Sequence, residues 1–190
     1  MLAQKFPTFL TLIWRASHPP ADADSLLARS VYQREDSSAG KEMRDIELEV
    51  QIGSRSDFHT IKVWDEFWGD RRQEMQGGQL FTARTVDGNC VGYLSIVPGG
   101  FLHYPLISLL CVDPSSRRMG VANQLLAHAE RVWYGARIFT TTESDNAPVI
   151  GLFKKREFKE SGYVDDVNAT EIRELIFSKD SGVRTKEEAR

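Results

Sequence analysis

The sequence predicts a mixed α/β domain in which helices cover a central sheet. Three observations carry that expectation. The run DIELEVQI, Asp45 to Ile52, sets Ile46, Leu48, Val50 and Ile52 at every second position, the period of a half-buried strand. Two apolar runs, Leu80–Val86 and Cys90–Val97, flank Asp87-Gly88-Asn89 and read as a hairpin. After Gly120, the residues Val121, Leu125, Leu126, Ala129 and Val132 recur at the 3.6-residue spacing of an amphipathic helix. Strands and helices interleaved in this way build a layered sheet with helices on it.

Composition narrows the function classes. The chain has 190 residues, 41% hydrophobic and 27% charged, the balance of a soluble domain long enough for a sizeable core. A formal charge of -3 disfavours a general nucleic-acid binder, so no nucleic-acid partner is expected. Cys90 and Cys111 are too few for a disulfide framework and point to a reducing compartment. His18, His59, His103 and His128 lack ligand spacing, so no metal is expected. The apolar run Phe6–Trp14 is too short to span a bilayer and lacks a small-residue cleavage signal. The expected location is the cytoplasm, with no membrane partner.

The chain divides into an N-terminal extension or linker (1–42), one domain (43–179) and a polar tail (180–190). The extension holds loop-like stretches, HPPADADS and REDSSAGKE, with a short helix through Leu26, Leu27 and Tyr32 between them. Its apolar run could pack on the domain or form a homodimer contact. Within the domain, the first strand is followed by SDFHTIKVWDEFW, a helix capped by Ser56 or Asp57. Its stripe of Phe58, Ile61, Trp64 and Trp68 is expected in the core. The hairpin comes next, and Pro98-Gly99-Gly100 is expected to break the chain. Pro105–Val112 is then a continuous apolar run suited to a buried strand. The helix from Val121, a strand at Ala136–Glu143 and a helix from Ala147, capped by Asp145 or Asn146, follow. Two last strands are expected near Phe158–Val164 and Ile172–Phe177.

The stretch DPSSRRMGVA, Asp113 to Ala122, places two arginines and a glycine where the Val121 helix begins. A helix start carries N–H groups without intrahelical partners and an electropositive dipole end. Gly120 would let a ligand approach the backbone, and Ala122 is nearly as small. These residues suit a pyrophosphate, with arginine side chains adding charge. Solvated arginines and a glycine that eases a turn explain the six residues Arg117–Ala122 equally well. The stretch matches neither a Walker loop nor GxGxxG.

The pattern R-x-x-G-x-A in Arg117, Gly120 and Ala122, after a strand ending Val112-Asp113-Pro114, resembles the acyl-CoA-binding motif of the GNAT N-acetyltransferase superfamily. Downstream, Asn146, Pro148, Leu152-Phe153 and Glu157-Phe158 stand where that family often has an Asn, a Pro, a Leu-Tyr pair and a Gly-Phe pair. The strand order agrees from about Met43 to Phe177. The resemblance implies the GNAT fold: a mixed sheet of six or seven strands flanked by helices, with a splay that holds acyl-CoA. It also implies acetyl-CoA as co-substrate and a small-molecule or peptide amine as acceptor. Its pyrophosphate would lie on the N–H groups of Arg118, Met119, Gly120, Val121 and Ala122, with Arg117 beside them. The pantetheine would pair with Leu110, Cys111 and Val112, Asn146 would contact it, and Phe153 would pack beside the thioester.

Acyl transfer to an amine needs a base, an oxyanion donor and an outlet for the thiolate. The Val112 N–H is the expected oxyanion donor. The usual tyrosine acid is replaced by Phe153, and the glutamate that some relatives carry five residues before the Asn is Thr141 here. Glu143 shares a strand face with Thr141 and is the candidate base; a solvated carboxylate at a strand end explains it as well. Asp65, Glu66 and Asp70 could attract a cationic amine, or simply form an exposed charged face. The expected activity is direct acetyl transfer to a primary amine. The alternative is a catalytically weak acyl-CoA-binding or regulatory module.

Overall fold

The computed structural model describes residues 47–65, 67, 71–168 and 171–182. The expected extension, Ile46, Glu66, Trp68, Asp70 and the last eight residues lie outside the described residues. Strand β1 (Leu48–Ile52) opens the described chain, followed by helices α1 (Arg55–Trp64) and α2 (Arg71–Gln76). Strands β2 (Leu80–Thr85), β3 (Cys90–Phe101) and β4 (Tyr104–Val112) then form a meander. Helix α3 (Val121–Val132), strand β5 (Arg137–Glu143), helix α4 (Ala147–Lys155) and strands β6 (Lys159–Val164) and β7 (Glu174–Asp180) complete it.

The seven strands form one sheet in the order β1-β2-β3-β4-β5-β7-β6. Every neighbouring pair is antiparallel except β4 and β5, which run parallel. This is the mixed sheet flanked by helices that the sequence implies.

Each face buries its own core. On one face, Val121, Leu125, Leu126 and Ala129 of α3 and Phe153 of α4 pack on Leu94, Ile96, Ile107, Ile138 and Phe177. On the other, Ile61 of α1 covers Leu80, Tyr93, Leu109 and Cys111, with Trp64 against them. The expected stripe on α1 therefore holds at Ile61 and Trp64. Glu130 ties the α3 side together, because Arg156 and Lys179 both reach its Oε2, at 2.7 and 2.9 Å.

Several local expectations need correction. Ser54, not Ser56 or Asp57, caps α1; Asp57 is the third helical residue and accepts from the Ser54 N–H at 2.7 Å. Its carboxylate also holds Arg84 at 2.7 Å, which pulls it inward and below its ordinary pKa range despite burial. Ile52 and Val132 are 59% and 50% exposed, because each lies at the end of its element, beyond the opposing layer. Pro98-Gly99-Gly100 does not break the chain: β3 runs on to Phe101, and the reversal is made by Leu102 and His103, both with positive φ. The last strand reaches Asp180, and Ser181 is buried against the α3–β5 connection through Ala136 and Glu130.

Candidate active site

The site begins where two parallel strands separate. β4 and β5 pair only at Leu106 with Phe139 and Ile107 with Thr140. The Thr140 hydroxyl donates to the Ile107 carbonyl at 3.2 Å and closes the vertex. Beyond it, β4 continues to Val112 and β5 to Glu143 without pairing to each other. A splay of this kind leaves backbone donors and acceptors facing an open wedge.

Two features decide which groups face the wedge. First, the register between β3 and β4 passes from Ser95–Leu109 to Ile96–Ile107, so Ser108 is an extra residue on β4. This bulge puts Ile107 and Leu109 on opposite faces of the sheet, although they are two residues apart. Second, the Asp113 N–H donates to Val91 of β3 at 3.0 Å. By strand alternation the backbone polar groups of Cys111 also face β3, while those of Leu110 and Val112 face the wedge. The free edge is therefore Leu110 and Val112. Cys111 does not join it as expected: its backbone is directed to β3 and its side chain lies in the α1-side core.

At the open end of the wedge, Pro114–Ser116 forms a short 3-10 turn held by the Asp113 side chain. Arg118 has φ of 66° and Gly120 has φ of 82°, so two left-handed residues wind the chain into α3. Glycine adopts this conformation freely, whereas arginine there is uncommon and costs roughly 1–2 kcal/mol. Strain of that kind tends to gather at ligand-binding segments. The N–H groups of Arg118–Asn123 make no backbone hydrogen bond to another described residue, and the first helical N–H with one is Gln124, to Gly120 O. Arg117 and Arg118 are exposed beside them, and Arg117 Nε lies 3.4 Å from Val112 O, across the mouth of the wedge. Met119 is 39% exposed on the same turn. The stretch is a ring of N–H donors with two guanidinium groups at its rim, suited to a diphosphate.

The opposite wall is β5 and the start of α4. Asn146 occupies the cap position of α4, but its Nδ2 donates to Thr142 Oγ1 at 3.1 Å and its side chain caps no N–H. Phe153 is 2% exposed, its ring 5.7 Å from that of Phe158 and 5.4 Å from that of Phe177. β7 brings Phe177 under the ring, so Phe153 packs within the core.

On the other face of β5, the face of α1 and α2, alternation lines up Phe139, Thr141 and Glu143. Glu143 is 4% exposed and its Oε1 has no hydrogen-bond partner. Burial, then the charges of Asp145 and Glu174, push its pKa up to about 7. It is therefore not a solvated strand-end carboxylate. Glu174 stands directly opposite it on β7. No sequence pattern singles out Glu174, since the cross-strand register that pairs it with Glu143 is a property of the fold.

Asp65 corrects both earlier readings, since it is neither exposed nor open to a cationic amine. It accepts from Tyr93 Oη at 2.7 Å and from Arg71 Nε at 3.1 Å, and Arg71 also holds Glu74 at 2.6 Å. Arg71 is itself 2% exposed, so this is a buried ion network that joins α2 to the sheet.

Comparison with known proteins agrees with this geometry. The Acetyltransferase (GNAT) family profile matches residues 41–158. The chain belongs to that family and is an acetyltransferase. No curated protein matches the sequence. Among solved structures, an acetyltransferase of the GNAT family from Bacillus cereus is 23% identical, covers 70% of this chain and 97% of its own, and superposes with a TM-score of 0.58. The ribosomal-protein-S18-alanine N-acetyltransferase of Escherichia coli is 16% identical over 74% of this chain and 97% of its own, at 0.60. Arabidopsis thaliana Naa50, solved with the bisubstrate analogue CoA-Ac-MVNAL, is 17% identical over 70% and 99%, at 0.59. These similarities establish the shared fold. No grouping of His, Cys, Asp and Glu that could hold a metal occurs among the described residues, and no described helix is long and apolar enough to cross a membrane.

Proposed function

We propose that the protein transfers an acetyl group from acetyl-CoA to a primary amine by direct attack. The observation that carries this reading is the unpaired β4 edge, Leu110 and Val112, running into the N–H groups at the start of α3. The edge suits an amide-bearing arm and the N–H ring suits a diphosphate, in the order in which acetyl-CoA presents them. Arg117 and Arg118 neutralise the diphosphate charge, and Asn146 lies across the wedge from the arm. Acetyl-CoA supplies the acetyl group as a thioester.

The amine approaches from the α1–α2 face, where Glu143 lies. An amine near neutral pH is protonated and cannot attack until it loses that proton. Glu143, with a proton affinity near 7, takes it directly or through one water. The amine nitrogen then bonds to the thioester carbon, and the Val112 N–H on the wedge edge stabilises the oxygen as it gains charge. The C–S bond breaks, the sulfur leaves as thiolate, and the nitrogen sheds its remaining extra proton to solvent to give the neutral amide. Phe153 has no proton to give it, and a thiol with pKa about 8.5 leaves unaided.

The test is acetyl-CoA consumption across amino acids, polyamines, aminoglycosides and peptides, with CoA affinity measured in parallel. Turnover with at least one amine supports transferase activity. CoA binding without turnover across the panel supports the binding or regulatory module instead, and loss of both removes the cradle.

A further inference from the structure

We propose that Glu174 is a positioning residue that shares one proton with Glu143 and thereby sets the proton affinity of the base. The inference rests on Glu143 acting as the base. Its starting point is register: Glu143 and Glu174 are direct partners in the antiparallel β5–β7 ladder, so both side chains lie on the same face. Directly opposed residues hold their Cβ atoms about 5 Å apart, within easy reach for two carboxylates. The two are 4% and 1% exposed, and each has one Oε1 without a hydrogen-bond partner. Two buried carboxylates at that spacing cannot both ionise without a large penalty, and one proton between them satisfies both orphaned oxygens.

The surroundings of the pair are unequal. Burial raises the pKa of Glu174, but the Thr141 side chain favours its ionised form and its Oε2 accepts from Asn168 Nδ2 at 3.1 Å. Glu143 has no such donor, and its other charged neighbour is Asp145. The nearest cation along the chain, Arg173, is directed away: it pairs with Asp165 at 2.8 Å and lies over the Tyr163 ring. β4 carries no Asp, Glu, Lys, Arg or His; its titratable groups are Tyr104, at the opposite end of the strand, and Cys111, in the α1-side core. Unequal environments hold the negative charge on Glu174 and the proton on Glu143 at rest. Glu143 must release that proton to solvent before it can take one from the amine. Glu174 thus keeps the base near neutrality, where it can both accept and release.

A double-mutant cycle of Glu143→Gln and Glu174→Gln, read by thermal unfolding at about pH 5 and pH 9, tests the pair without activity. Glutamine at 174 keeps the Asn168 bond and offers its NH2 to Glu143, as a protonated glutamate would. At pH 9 each single variant is expected to raise Tm by about 3 °C or more, and the double variant to gain much less than the sum. At pH 5 the gains should be small, because Glu143 is already protonated. Additive gains or none at pH 9 would overturn the shared proton. In activity, Glu174→Gln should move the acid limb of kcat/KM to lower pH by about one unit, with KM for the amine little changed. Thermal coupling with an unmoved acid limb would show that the pair exists but Glu143 is not the base, and the positioning role would be withdrawn.

Discussion

Gly92 lies directly beneath Val121. A Cβ built on Gly92 would stand 2.7 Å from Val121 Cγ1 and 3.1 Å from Cys111 O. The first residue of α3 therefore rests on bare backbone of β3, and that contact fixes how near the helix start comes to the wedge. Gly92→Ala should push α3 outward, at a cost of about 1–3 kcal/mol in stability. Because the displaced segment carries the N–H ring, CoA affinity should fall as well. Denaturant unfolding and calorimetry would check both, and an unchanged stability would mean that Val121 can yield.

Gly120 tests the cradle itself. Its φ of 82° strains any branched side chain, so Gly120→Val should lose about 1–3 kcal/mol of stability. It should also block a diphosphate from the N–H groups, with a much larger loss of CoA affinity. If the folded variant bound CoA as the wild type does, the diphosphate would lie elsewhere.

Glu143→Gln separates base from bystander through pH. The folded pKa is raised from 4.5 to about 7, so the group contributes stability below about 4.5 that is lost as pH rises through 7. A displacement of that size corresponds to roughly 3 kcal/mol. Glu143→Gln should thus be more stable than wild type at pH 8 and similar near pH 4. In activity, the wild-type rate should rise through about pH 7, and the variant should lose at least tenfold, or about 1.4 kcal/mol of barrier. An unaltered pH–rate profile would rule out the base role.

The layered fold was legible because periodicity is local. The hairpin at Asp87-Gly88-Asn89, the α3 stripe from Val121 to Ala129 and the buried run of β4 all report burial within one element. The start of α3 at Val121 was legible for a similar reason, since a helix start and its preceding strand are contiguous in sequence. What depends on register was not. The Ser108 bulge, the inward turn of Cys111, the core packing of Phe153 and the Glu143–Glu174 pairing all depend on which residue lies opposite which. Proline and glycine misled at Pro98-Gly99-Gly100, because the β3–β4 hairpin admits irregular pairing between Val97 and Phe101.

The domain boundary yields a separate expectation. β1 pairs with β2 from Leu48–Thr85 to Ile52–Phe81, so every described strand of the sheet lies at or after residue 48. A chain beginning at Met43 should fold cooperatively and bind CoA within about threefold of full length. A soluble truncation without cooperative unfolding would show that the first 42 residues complete the core.

Phe153→Tyr tests how the thiolate leaves. In this structure the ring sits between Phe158 and Phe177, so a new hydroxyl enters apolar surroundings. Burying it without a partner should cost about 1–3 kcal/mol of stability. Placed there it cannot protonate sulfur, so the maximal rate should change by less than about tenfold, and no falling alkaline limb should develop. The alternative has the opposite signature. If the hydroxyl reached the wedge, it would find polar partners, stability would hold, and the rate would climb with a new alkaline limb. Measuring Tm together with the pH–rate profile distinguishes the two, because a buried phenol lowers the first and leaves the second alone. A several-hundredfold gain without loss of Tm would show that the natural enzyme runs without an acid it could use, and would shift weight to the regulatory reading.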